Sequence, residues 1–357
     1  YVQSSGGIFN GSTHLDYTNY FEVLPSNALE RGLFLEADRM RSPRITEENL
    51  ANQIDVVKEE IRVNVLNRPY GGFPWLVLPP VLYDTFPNAH NGYGGFEDLQ
   101  NATVEDASTF FDSYYAPANA VLCVAGDTDP TKAIELIERH FASIKRRKKP
   151  VRPNFAEPEL TAERRESVTD ALAPMPAVAL GYRVPDPSAD LHVYLASVLL
   201  AEILSDGDAS RLQRALVQSK RLVTDVGAYL GTFGDPLEER DPTKLTVTAH
   251  YADTGSTDKV ISAVDTEIDR LATDGPEPGE LNRVRTKLAG TIFRELDQVL
   301  NRSLEFAKSE LLFGTASMIL DLPALLAQVT DSDIQAAAAR LTPSSRAVVE
   351  LLPGANQ

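Results

Sequence analysis

The sequence predicts an α+β protein built as two related domains, each a mainly antiparallel sheet flanked by helices. Three observations predict it. Apolar residues recur at helical spacing in several long stretches. The strand-like stretches between them alternate in polarity, as strands with one exposed face do, and lack the fully apolar runs of a buried parallel sheet. The second half repeats the first at a fixed offset.

In chain order, "TNYFEVL" (18–24) alternates as a strand and leads into an amphipathic helix, "LERGLFLEADRM". The next helix spans 47–66, where Leu50, Ile54, Val57, Ile61 and Val65 form one stripe. Thr46 stands at its N-cap, and Glu47 and Glu48 occupy the first turn, where the helix dipole favours anions. "TVEDASTFFDSYYAPANAVLCVAG" (103–126) reads as a Thr cap, a helix, a Pro turn and a strand. The basic run Lys145 to Lys149 beside Pro150, Pro153 and Pro158 marks a solvated linker over 145–165. It separates a first domain (1–144) from a second (166–357) that opens with a strand, "AVALGYRV" (177–184), and an apolar helix (190–204).

The repeat shows in Thr103/Thr330, Asp106/Asp333 and Ala120/Ala347, each pair 227 residues apart. The same offset sets "TNYFEVL" against "LTVTAHY" (245–251) and the helix after each strand against its counterpart. Counterparts of the second domain's opening strand and helix fall before Tyr1, so the first domain is expected to lack them.

A chain of 357 residues with 43% apolar and 24% charged residues has the composition of ordinary globular domains, about two of them. A formal net charge of −17 opposes binding to nucleic acid or anionic membrane, which requires positive potential. The one cysteine, Cys123, rules out an internal disulfide and a cysteine zinc site, and its apolar neighbours predict a buried, inert thiol. No apolar stretch reaches the ~18 residues of a membrane span. The expected compartment is the cytoplasm, with any targeting signal upstream of Tyr1.

Two adjacent glutamates in "NQIDVVKEEIRVNVLNRPYGG" (52–72) pose the functional question. At about 100° per residue, Glu59 projects away from the apolar stripe and Glu60 falls on its flank, beside Gln53, Val56 and Asn64. A carboxylate on such a flank calls for a partner, either an ion pair or a metal; Glu59 in solvent does not.

Taken together, "GGIFNGSTHLDYTNYFEVL", "DVVKEEIR", "NRPYGG" and "YYAPANAVLCVAGDTDP", in this order and spacing, resemble the pitrilysin or insulinase family of inverted zinc metallopeptidases, in its bacterial, mitochondrial-processing-peptidase-like branch. The resemblance covers nearly the whole chain. It implies a fold of the LuxS and processing-peptidase type, zinc as cofactor, and hydrolysis of peptide bonds in short or unfolded peptides. In that family an H-x-x-E-H helix supplies two His ligands and the general-base Glu, and a glutamate on a later helix supplies the third ligand. The match places that ligand at Glu60. Gln53 holds the position two turns earlier where many relatives carry another Glu, and an amide there donates a hydrogen bond in support of the ligand.

The H-x-x-E-H is not among these residues. His14, His90, His140, His192 and His250 lack its spacing and are assigned to structure. The general base is therefore expected upstream, in the missing strand and helix. Gly6, Gly7, Asn10 and Thr13 fit the family's G-G-x-x-N-x-x-T pattern at an edge strand that takes an extended peptide by main-chain pairing; a plain hairpin is the other reading. The family also closes substrate between two two-domain units, one of which carries an Arg and a Tyr after a Ser-Arg-Leu helix. Val217 and Thr224 stand at those positions here, and Arg211 reads as a structural residue at the helix start. The resemblance thus implies a heterodimer with a homologous subunit that carries the Arg/Tyr pair. The alternative is a non-catalytic, substrate-holding or structural subunit of the same fold.

Overall fold

The computed structural model describes residues 1–90, 92–252 and 256–354. From the N-terminus come β1 (Ile8–Thr13), β2 (Thr18–Val23), α1 (Leu29–Arg41), α2 (Glu47–Ile61), the short helices α3 (Pro79–Leu82), α4 (Phe86–Ala89) and α5 (Phe96–Asn101), α6 (Val104–Tyr114) and α7 (Pro130–Phe141). There follow β3 (Arg164–Asp170), β4 (Ala177–Val184), α8 (Leu191–Ser205), β5 (Asp225–Leu230), β6 (Thr243–His250), α9 (Thr257–Asp274), α10 (Glu280–Asp297), α11 (Val299–Phe313), α12 (Met318–Gln328), α13 (Asp331–Ala338) and β7 (Arg346–Pro353).

The chain forms two compact units, each made of three separate stretches. Unit one is Tyr1–Val56, Gly95–Pro153 and Thr291–Asp321; unit two is Val57–Gly94, Asn154–Gly290 and Leu322–Gln357. These units interleave, whereas the sequence divides into contiguous halves at 1–144 and 166–357. The reason lies in burial. Phe73, Leu78, Val81 and Leu82 share one core with Ala177, Ala179, Val349 and Leu351 of β4 and β7, so the segment after α2 belongs with the later sheet. The 145–165 stretch divides as well: Arg147 pairs with Asp112 at 2.7 Å in unit one, and Glu157 accepts from the Asp84 amide at 2.7 Å in unit two.

Unit two holds a five-stranded sheet in the order β3-β7-β4-β6-β5. Every pairing is antiparallel except β3 with β7. β4 covers the predicted 177–184 and is buried along nearly its whole length. Leu78 explains why the alternation is weaker than in a one-faced strand: a Cβ on Gly181 would come within 2.8 Å of its Cδ2, so the 73–83 segment covers one face of β4. α8 begins at its Asp190 cap, whose side chain accepts from the Val193 amide at 3.1 Å. It buries ten of its fifteen residues and packs against β5 and α13.

Unit one has one sheet among the described residues, the hairpin β1-β2. The predicted strand at 120–126 joins no sheet among the described residues, so the first-domain sheet is smaller than expected. Its repeat partner β7 lies between β3 and β4. A strand forms only where neighbours take its N–H and C=O groups. Cys123 in this stretch is half-buried, not fully buried as expected, and desolvation pushes its thiol up. The repeat is otherwise visible down to single hydrogen bonds. Thr103 caps α6 and Thr330 caps α13, each in a reciprocal box with an Asp three residues on.

Candidate functional site

Helix α2 begins where the sequence places it, with the Asn49 amide donating to Thr46 Oγ1 at 3.2 Å. It runs to Ile61 and widens into a π turn over Arg62–Leu66. Of the predicted stripe, Ile61 is buried and Leu50, Ile54, Val57 and Val65 are half-buried. The phase of the stripe is as read. The partners of the two glutamates are not. Glu59 pairs with Arg62 at 3.2 Å, one turn on, while Glu60 is exposed and has no hydrogen bond or ion pair among the described residues. The flank is shallower than the wheel implies because the stripe on this helix is only partly covered. Gln53 is also exposed, two turns before Glu60.

The Gly-Gly turn and β1 form a hairpin whose first strand is exposed throughout. Gly6 sits at φ 78°, left-handed, closing the turn Gln3–Ser5. Gly7 is needed for a different reason, since a Cβ there would meet Leu24 Cδ2 and Val23 O at 2.6 Å. The His14 amide donates to Tyr17 O at 2.8 Å across the turn. By the alternation of an antiparallel ladder, the N–H and C=O groups of Phe9, Gly11 and Thr13 then face the outer edge of β1. Asn10 Oδ1 accepts from the Gly11 amide at 2.8 Å, covering one edge donor; Thr13 ends the strand opposite Thr18.

The five histidines have local partners. His14 stacks on Tyr17 with ring centroids 4.2 Å apart, and His90 stacks on Phe86 at 5.0 Å. His140 lies 3.3 Å from Glu30, His192 3.2 Å from Asp333 and His250 3.5 Å from Asp225. Among the described residues no three His, Cys, Asp or Glu side chains lie close enough to hold a metal. These residues alone therefore do not fit a zinc site: Glu60 is one donor where tetrahedral zinc needs three from protein.

Arg211 is structural. Only 6% of its side chain is exposed, and it donates to both Glu280 oxygens, at 2.8 Å for Nη2, and to Gly275 O at 3.0 Å. Val217 is half-buried in a π turn, and the Thr224 hydroxyl donates to His250 O at 3.1 Å.

Residues 101–288 match the family model described as Peptidase M16 inactive domain. The sequence is 34% identical over 238 residues to the zinc protease PqqE of Helicobacter pylori, covering 64% of this chain and 51% of that protein. An uncharacterized zinc protease of Mycobacterium leprae is 25% identical over 95% of this chain and 74% of its own length. The chain thus spans about half the length of the first relative and about three quarters of the second. Among solved structures, a protease from Helicobacter pylori superimposes with a TM-score of 0.89 at 25% identity, covering 99% of this chain and 83% of that one. A peptidase M16 inactive domain from Pseudomonas fluorescens gives 0.83 at 17% identity, over all of this chain and 83% of the other, and speaks to the fold alone.

Proposed function

Because this chain belongs to the peptidase M16 family, we propose that it is the part of a zinc-dependent metalloendopeptidase that offers one carboxylate, Glu60, to the metal and one free strand edge, β1, to short or unfolded peptides. The observation that carries this reading is the contrast on α2. Glu59 is engaged by Arg62, and Glu60 beside it is exposed and uncommitted. Relatives named as zinc proteases support the reaction class. The two imidazoles and the general-base Glu belong to an H-x-x-E-H helix outside these residues. The exposed edge of β1 supports main-chain recognition, which suits substrates of varied sequence.

The lack of an Arg/Tyr pair at Val217 and Thr224 supports a heterodimer. A homologous partner with that pair supplies the donors that hold a substrate carbonyl, and losing one such donor typically costs ~10²–10³ in turnover. The test is peptide hydrolysis by a polypeptide joining these residues to the H-x-x-E-H segment. Alone it should cleave a flexible peptide poorly, recovering when the partner is added at about one to one. Val217→Arg with Thr224→Tyr should restore part of the activity. Full activity without a partner would overturn the heterodimer and leave the metal reading intact.

A second reading, a non-catalytic subunit that holds substrate, is favoured by the description of the matching family model as inactive and by the lack of a three-ligand cluster among the described residues. Absence of zinc and of hydrolysis in every combination would select it.

A further inference from the structure

Strands β5 and β6 pair as β1 and β2 do, but their connection, 231–242, is longer than the 14–17 turn of the first hairpin. It is held from inside. Thr232 is buried, its amide donates to Glu239 Oε1 at 2.5 Å, and its hydroxyl accepts from Lys244 Nζ at 2.8 Å. Leu237 is buried as well, and its amide donates to the Tyr194 hydroxyl at 3.4 Å. Burying two charged side chains, Glu239 and Lys244, costs stability, and both are tied to one threonine of a surface loop. They fix the residue beside it, Phe233, which is 63% exposed.

Phe233 meets Trp75 with ring centroids 5.6 Å apart, and Trp75 meets Tyr93 at 5.7 Å. All three belong to unit two. Trp75 Nε1 donates to Gly71 O at 2.9 Å, so the indole is oriented and its polar edge is used. What remains is ring face, which attracts cations, and tryptophan attracts them best. Elsewhere in the chain Tyr20, Tyr83, Phe111 and Tyr182 each have one of the chain's own arginines over the ring. Among the described residues no cation lies over Trp75 or Phe233. The loop adds a sign: 231–242 carries Asp235, Glu238, Glu239 and Asp241 against Arg240 alone, in a chain of formal net charge −17. Negative charge around bare ring faces favours a positive ligand.

We propose that Trp75 and Phe233, flanked by Tyr93, form a binding site for the guanidinium or ammonium group of a basic side chain in a flexible peptide. The rings take the cation over their faces, and the acidic loop favours it over a neutral side chain of the same shape. Lys244 and Glu239 act on this site only by holding Thr232, and so Phe233, in place. That the ligand is a peptide rests on the proposed function; binding here needs neither zinc nor hydrolysis.

Trp75 is the chain's one tryptophan, so its emission reports on the site. The test is a fluorescence titration of the 357-residue chain, without zinc, using Gly/Ser peptides that contain arginine, lysine or citrulline, the neutral isostere of arginine. The arginine and lysine peptides should change Trp75 emission saturably, and the citrulline peptide should not. Phe233→Ala, which removes an exposed side chain, should leave the urea transition in place and weaken binding of the arginine peptide about fivefold. Should Phe233→Ala not fold, the citrulline comparison decides. Arginine-peptide binding unchanged in Phe233→Ala, an equal response to citrulline, or no response at millimolar peptide would overturn the site. Any of these would leave the proposed hydrolysis as it stands, because the titration reads none.

Discussion

Helices α6 and α13 start from the same box, Thr-x-x-Asp, with the same three hydrogen bonds, and meet different fates. α13 buries Ile334, Ala337 and Ala338 and packs against α8 and α9. α6 buries none of its residues and leaves Phe110 57% exposed. The strands diverge in the same way: β6 is mostly buried between β4 and β5, whereas β2 pairs only with β1 among the described residues. Local sequence sets where an element starts, and the elements around it decide what it buries. In unit two β4 and α8 are among those surrounding elements, pairing with β6 and packing against α13.

That comparison can be broken by mutation, and the single tryptophan, Trp75 in unit two, gives a local probe. The largest effect is expected from Arg211→Ala. It strands Glu280 inside unit two and should cost about 3–5 kcal/mol in urea unfolding followed by Trp75 fluorescence. Next comes Leu199→Ala in α8, at 0% exposure, where a core truncation should cost about 2–5 kcal/mol. Phe110→Ala on the exposed face of α6 should move stability by less than about 0.5 kcal/mol. A Phe110→Ala cost equal to that of Leu199→Ala would mean that unit one has a core as well formed as unit two's.

The caps sharpen the contrast. Thr330→Ala should lower unit-two stability by about 1 kcal/mol, while Thr103→Ala should leave the Trp75 transition in place and show only as faster amide exchange in α6. The smallest effect is on acid stability. Hydrogen bonds from the Thr side chain and backbone hold Asp106 and Asp333 below the usual carboxylate range, with His192 assisting Asp333. A lowered folded-state value means stability present above the ordinary Asp pKa and lost as pH falls through the lowered one. Asp333→Asn should therefore reduce the acid sensitivity of the Trp75 transition below about pH 4.

How much of this was readable follows the same line. The Thr-x-x-Asp boxes, the Asp190 cap, β4 and the phase of α2 are short-range and could be read from residue order. The pairing state of 120–126 could not, because a strand depends on partners far away in sequence. Neither could the grouping of 57–94 with unit two, which Leu78 and Leu82 decide by packing against β4. For the candidate site, the wheel separated Glu59 from Glu60 but did not foresee that Arg62 would engage Glu59, a spacing of three that was visible in "EEIR".

The assignment of Glu60 is tested most directly by zinc content. In a polypeptide that adds the H-x-x-E-H segment to these residues, zinc measured by elemental analysis after dialysis should approach one per chain. It should fall at least tenfold in affinity on Glu60→Gln and stay unchanged on Glu59→Gln. Equal zinc in all three proteins, or equal loss from both substitutions, would contradict the role given to Glu60.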